Sequence, residues 1–265
     1  MEEITLITHA HAKSPVSEAY RTIRTNIQFS QIAGKRLKSI IITSPLPGEG
    51  KSTTISNLAV TIAQTGKNVV VVDCDMRNPV QHKIFHLENK GLSNCIATGD
   101  SIDSIIQGTT VPNLWVVASG PVPPNPSELL GSDKMVEILE NMNSRFDYVL
   151  VDTPPIIPVT DAAVLSSKVD GVIMILASGA VAPAAAKEAK TRLEQAGAHI
   201  MGVVLNKLDI GHHHGYGYGY GYGYGYGYGY GYGYGYGYGY GYGYGYGYGS
   251  HCEDKKQDDK EKPQE

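Results

Sequence analysis

From Thr43 to Thr53 the chain reads Thr-Ser-Pro-Leu-Pro-Gly-Glu-Gly-Lys-Ser-Thr. Glycines let backbone N–H groups approach and wrap phosphate oxygens. A helix opening at Lys51 adds the positive end of its dipole. Lys51 reaches the β- and γ-phosphates, and the Ser52 hydroxyl is suited to ligate Mg²⁺. Pro47, Gly48, Glu49, Gly50, Lys51, Ser52 and Thr53 are the candidate nucleotide-binding residues. The front of the loop departs from the usual pattern, with Pro45 where Gly is expected. The competing reading is a Gly-rich turn opening a helix, which the Gly-Lys-Ser-Thr run between strand and helix disfavours.

Two further acidic segments follow in a fixed order. Asp73-Cys74-Asp75-Met76-Arg77 closes one apolar run, and Val149-Leu150-Val151-Asp152-Thr153 closes another. Carboxylates two residues apart on an extended segment share a side. A phosphoryl-transfer enzyme needs carboxylates for Mg²⁺ and for orienting its nucleophile. Asp73 and Asp75 are candidates for these two roles, and Asp152, closing its strand, is a candidate to hold Mg²⁺ with Ser52. Val203-Val204-Leu205-Asn206-Lys207 ends a last apolar run. Asn206 is a candidate to hydrogen-bond the base, although a plain polar strand exit reads almost as well.

These residues need a scaffold that brings strand ends together. Unbroken apolar runs at Ile40–Ile42, Val69–Val72 and Val172–Leu176 are what doubly covered parallel strands look like. Strands are expected at 39–43, 69–73, 114–118, 148–152, 172–177 and 200–206. Helices are expected at 16–33, 51–64, 101–107, 133–143, 161–168 and 183–196. The alternation predicts an α/β fold: a P-loop NTPase with a doubly wound, mostly parallel sheet. Ligands in such sheets bind at the carboxyl ends of the strands.

Composition divides the chain. Gly215–Gly249 is strict Gly-Tyr alternation and holds 17 of the 19 Tyr and 18 of the 32 Gly. Outside it the aromatics are Tyr20, Tyr148, three Phe and Trp115. Three parts are expected: a loose lead-in over 1–14, a P-loop domain over 15–210, and a low-complexity tail over 211–265. Alternate Gly opposes helix, and without aliphatic residues the repeat builds no core. A disordered tail is the expectation, although its period also matches a strand with Tyr on one face. Net charge is −4, so no nucleic-acid surface is indicated. The three Cys are widely spaced, which fits a reducing cytoplasm. No leader or membrane-spanning run is read.

In combination these residues resemble the bacterial tyrosine kinase family, of the soluble capsule- and exopolysaccharide-associated CapB/CpsD type. Pro47–Thr53 matches its Walker A, Val70–Arg77 its Walker A′, and Val149–Pro155 its Walker B. Glu18, Arg21 and Arg24 match its E-x2-R-x2-R oligomerisation motif. Gly120–Leu130 is family-like, and the Tyr-rich C-terminus resembles the family's autophosphorylation segment. Partition and division-site ATPases of the ParA/MinD type carry a signature Lys five residues before the loop Lys. Leu46 stands there instead.

The resemblance implies an ATP- and Mg²⁺-dependent protein tyrosine kinase that phosphorylates its own tail in trans. Tyr216, Tyr232 and Tyr248 represent the acceptors. It implies that Lys51 neutralises the transferring phosphate, that Ser52, Asp75 and Asp152 manage Mg²⁺, and that Asp73 accepts the tyrosine proton. Arg77 orients the acids or a phosphate. Glu18, Arg21 and Arg24 would build a ring of subunits; without the family, a solvated charged helix face is the better reading. The family role is control of capsule or exopolysaccharide synthesis. A membrane-embedded modulator would activate the kinase at the inner face of the plasma membrane, and a phosphotyrosine phosphatase would oppose it. The rival readings are a ParA/MinD-type ATPase switch and a nucleotide-binding anchor for a structural Gly-Tyr segment.

Overall fold

The computed structural model describes residues 6–208, apart from 33 and 34. The Gly-Tyr segment, with Tyr216, Tyr232 and Tyr248, lies outside the described residues. The chain opens with α1 (Ile7–Ala10) and α2 (Pro15–Phe29), followed by a two-stranded pair, β1 (Gln31–Ile32) and β2 (Lys35–Arg36). Then come β3 (Ser39–Thr43), α3 (Lys51–Ala63), β4 (Val69–Asp73), α4 (Gln81–Ile84) and α5 (Leu92–Thr98). β5 (Gln107–Gly108), β6 (Leu114–Val117), α6 (Pro126–Gly131), α7 (Asp133–Arg145) and β7 (Tyr148–Asp152) follow. The described part closes with α8 (Asp161–Ser166), β8 (Gly171–Ala177), α9 (Pro183–Gln195) and β9 (Ile200–Asn206).

Seven strands form one sheet in the order β5-β6-β4-β7-β3-β8-β9. All neighbours are parallel except β5, which runs antiparallel to β6. The doubly wound expectation therefore holds.

Strand periodicity builds both faces. Ile41, Val70, Val72, Val149, Val151 and Val172 point into one core, with Met135 and Leu139 of α7, Leu165 of α8 and Leu193 of α9. The alternate residues, Ile40, Ile42, Val69, Val71 and Leu150, point into the other, with Ile55, Leu58 and Ile62 of α3 and Ile27 of α2. Each such side chain, when fully buried, stabilises by about 1.5–3 kcal/mol. Both faces are covered, so the central strands read as unbroken apolar runs.

Several elements differ from expectation. The helix expected at 101–107 is a single 3-10 turn over Ile102–Ser104, capped by the Ser101 hydroxyl, and then β5. The chain there turns into β5, which pairs with β6 instead of continuing the helix. The first long helix ends at Phe29, not Ala33, with Ser30 at its C-terminus. The loose lead-in over 1–14 is helical from Ile7 to Ala10. There Thr8 is buried and bonded to Asn57 of α3 through its main-chain N (3.1 Å) and its hydroxyl (3.0 Å). Among the described residues no helix is long and apolar enough to cross a membrane.

Candidate active site

The phosphate loop leaves β3 at Thr43 and enters α3 at Lys51. Its curvature needs left-handed backbone at Gly48 (φ +78°) and Gly50 (φ +91°), which glycine adopts without Cβ strain. Glu49 shapes the loop from within. It is buried; Oε1 accepts from Leu46 N at 2.7 Å and Oε2 from Ala177 N on β8 at 3.0 Å. From β9, Asn206 Nδ2 donates to Glu49 O at 2.9 Å, and Lys207 Nζ donates to Gly48 O at 2.7 Å. Asn206 thus supports the loop backbone rather than standing apart from it.

The acids arrive by strand register. β4 and β7 are adjacent, and Asp73 pairs directly with Asp152. Both are fully buried, whereas Asp75 is 6% exposed. Asp73 Oδ2 accepts from Val80 N and Gln81 N, each at 3.0 Å, and Oδ1 accepts from Asp75 N at 3.2 Å. Asp75 Oδ1 accepts from Asn78 N at 3.0 Å. Asp152 Oδ2 accepts from Gln81 Nε2 at 2.7 Å, while its Oδ1 is buried without a hydrogen-bond partner.

Burial, with repulsion from neighbouring acids, lifts all three. Burial, then the Asp152 charge, holds Asp73 well above the usual carboxylate range. Burial pushes Asp152 up to about 6, against the pull of the Ser52 hydroxyl, Gln81 and the Lys51 ammonium. Burial also raises Asp75, opposed by the Asn78 N–H and by Lys51. Lys51 is 7% exposed and acts on both Asp75 and Asp152. The Lys51 charge thus acts on both Asp75 and Asp152 at the loop, and Asp73 stands in register beside Asp152.

Arg77 is committed elsewhere. Its Nε and Nη2 fork onto Asp161 at 2.9 and 3.0 Å, and Nη2 reaches Ser127 Oγ at 3.3 Å. Ser127 also bonds Asp161. The guanidinium ties the turn after β4 to α8 and α6. Glu18 and Arg21 pair with each other, and Arg21 also donates to Ala12 O at 2.7 Å. Arg24 donates to Thr61 O on α3 at 2.9 Å.

Sequence reading missed Gln81 and Asp161, both buried at this end of the sheet. No motif marks either. The one available signal is the turn Asn78-Pro79 after the acidic run, which returns the chain toward the strand ends.

Among the described residues no group of three or more His, Cys, Asp or Glu is placed to hold a metal by itself. Mg²⁺ bound with nucleotide uses only one or two carboxylates, the phosphates and water supplying the rest. A buried carboxylate oxygen without a partner, next to a second acid and a serine, fits that requirement.

Residues 37–195 match the AAA domain family. The tyrosine-protein kinase YwqD of Bacillus subtilis is 42% identical over 209 residues, 78% of this chain and 88% of that one. The kinase domain of the Escherichia coli tyrosine kinase ETK superposes with a TM-score of 0.76 at 34% identity, covering 83% and 86% of the two chains. A chimerical protein, CapA2B2, superposes with a TM-score of 0.73 at 41% identity, covering 77% and 89%. The phosphate loop, the paired strand-end acids and these similarities converge: the chain belongs to the bacterial tyrosine-protein kinases and is a nucleotide-binding protein tyrosine kinase.

Proposed function

We propose that the kinase transfers the γ-phosphoryl group of ATP to tyrosines of the Gly-Tyr segment of a second copy, with Mg²⁺. The observation that carries this reading is the unpartnered, buried Oδ1 of Asp152 beside Lys51 and Asp75 at the phosphate loop. Ser52, Asp75 and Asp152 hold the Mg²⁺, which supplies neutralisation of phosphate charge when bound. The N–H groups of the loop and the α3 N-terminus hold the phosphates. Lys51 meets the charge that develops on the transferring group.

A phenol has a pKa near 10 and needs a carboxylate to receive its proton. Asp73 is the proposed acceptor. Its complete burial and three backbone hydrogen bonds favour a second reading, in which Asp75, the less deeply buried acid, takes the proton. Asp73→Asn separates the two. Loss of phosphotyrosine with metal and nucleotide binding intact supports Asp73; retained activity supports Asp75.

Seventeen tethered hydroxyls give neighbouring sites a high effective concentration of acceptor. Each phosphate adds about −1.5 to −2 charge, so a phosphorylated tail becomes polyanionic and repels its neighbours. We place Glu18, Arg21 and Arg24 at the subunit contact of a ring. A membrane-embedded modulator activates the kinase, a phosphatase resets it, and the pathway controlled is capsule or exopolysaccharide synthesis. The resemblance of the motifs supports these assignments.

Labelled ATP tests the core of the proposal. Phosphotyrosine should form on the full chain with Mg²⁺, and disappear in Lys51→Met and on deletion of 215–249. A mixture of Lys51→Met full chain with active, tail-deleted kinase should label the full chain. ATP hydrolysis without phosphotyrosine in that mixture would sink the reading.

A further inference from the structure

One residue that no motif marks bonds both of the paired strand-end acids, Asp73 and Asp152. Gln81 is fully buried at the first position of α4. Its main-chain N donates to Asp73 Oδ2 at 3.0 Å. Its side-chain Nε2 donates to Asp152 Oδ2 at 2.7 Å and lies 3.4 Å from Ser52 O. Its Oε1 accepts from the Ser56 hydroxyl at 2.8 Å. A single residue thus ties the turn after β4 to the end of β7 and the first turn of α3.

The amide orientation follows from its partners. Turned over, it would set Oε1 against a carboxylate oxygen at 2.7 Å, acceptor against acceptor. Ser56 holds the other end, with its hydroxyl between Gln81 Oε1 and Ser52 O (2.8 and 2.6 Å). Only Oδ1 of Asp152 then remains for a ligand.

We propose that Gln81 is the positioning residue of the metal site: its amide pins Oδ2 of Asp152 and reserves Oδ1 for the cation. This rests on the Mg²⁺ reading given above. A neutral donor suits the task. It fixes the carboxylate without adding a positive charge that would compete with the metal. Lys51 is the cation whose charge acts on Asp152. Released from Gln81, the carboxylate turns toward Lys51, and both the cation and the phosphate lose a partner. Hydrogen-bonding partners that orient a ligating carboxylate typically change metal affinity about 10- to 100-fold when removed.

The test uses the full chain and Mn²⁺ as a paramagnetic stand-in for Mg²⁺, bound in the presence of a non-hydrolysable ATP analogue. Gln81→Met keeps the side-chain volume and removes the amide. Its Mn²⁺ dissociation constant should rise about tenfold or more, with metal-free analogue binding within about twofold of the parent. The Mg²⁺ concentration for half-maximal phosphotyrosine formation should rise by the same factor.

A folded Gln81→Met protein with unchanged Mn²⁺ affinity overturns the proposal. So does a parallel loss of metal-free nucleotide binding, which would make Gln81 a general support of the loop. If Gln81→Met does not fold, Ser56→Ala carries the test, since it removes the hydroxyl that orients the amide; metal-free analogue binding within about twofold of the parent controls for its lost bond to Ser52 O. Weaker Mn²⁺ binding supports the proposal, and unchanged binding overturns it. Failure of the parent protein itself to bind Mn²⁺ with nucleotide is a separate result, and it overturns the Mg²⁺ reading as well.

Discussion

The phosphate loop and the acidic wall meet at the same strand ends but are stabilised in opposite ways. The loop spends its polar atoms on itself: Glu49 accepts from Leu46 N and Ala177 N, and Asn206 and Lys207 hold its carbonyls. The wall places Asp73 and Asp152 side by side in buried register, lifts both above their ordinary pKa, and leaves Asp152 Oδ1 without a partner. One half of the site is shaped before any ligand arrives. The other carries an electrostatic cost that a bound cation relieves. The proposed function draws on both, since phosphate recognition needs a fixed cradle and the proposed Mg²⁺ needs concentrated negative charge.

The contrast predicts opposite signs for mutations on the two sides. The largest effect is expected at Asp152→Asn. Removing the charge proposed to bind Mg²⁺ should lower phosphotyrosine formation by roughly 10²- to 10³-fold, the scale of losing one preorganised electrostatic contact. The same substitution should raise the melting temperature of the metal-free protein at pH 8, because a neutral amide replaces a buried, repelled carboxylate. A lowered melting temperature would break the comparison.

Next comes the loop itself. Glu49→Ala leaves two N–H groups, of Leu46 and Ala177, without their acceptor. A buried unsatisfied group costs about 1–3 kcal/mol. This variant should unfold at lower denaturant and bind nucleotide more weakly with or without metal. Gly50→Ala should act in the same direction with a smaller stability cost, about 1–2 kcal/mol from the left-handed backbone. Its Cβ would stand 2.3 Å from Asn206 Nδ2, so the loop must also shift, and nucleotide affinity should fall further than stability.

How much of this was legible in the chain follows the same division. The loop is local: eleven consecutive residues state its chemistry, and the structure places them as one turn. The acids are legible as types, because each ends an apolar strand. Their closeness is not, since it comes from β4 and β7 being neighbours in the sheet. Gln81 is 71 residues from Asp152 in sequence and sits on a four-residue helix held by tertiary contacts. Arg77, read as a catalytic candidate for its place beside the acids, is drawn to Asp161, 84 residues away. Val203-Val204-Leu205 reads like the central Val69–Val72, yet Val203 and Leu205 are about half exposed because β9 is the edge strand. Composition marks a strand; its place in the sheet depends on partners that composition does not name.

The smallest predicted effect concerns pH, and it isolates the wall from the loop. The Asp152 carboxyl sits at about 6 in the folded protein, against 3.8 for the ordinary group. Between those values the native state holds a proton that the unfolded chain releases, so stability falls as pH rises. Asp73, also raised, acts with the same sign toward higher pH. The metal-free protein should therefore be stabilised by these acids near pH 4 and lose that contribution as pH climbs through about 6. Because other groups titrate too, the informative quantity is a difference: the melting temperature of the parent minus that of Asp152→Asn, followed from pH 5 to pH 8. That difference should grow more negative with pH in the metal-free protein. Saturating Mg²⁺ and nucleotide should flatten or reverse the trend, since bound cation favours the charged carboxylate that bare burial opposes. A difference independent of pH would mean that the buried acids carry no electrostatic cost, and the wall would then be as self-satisfied as the loop.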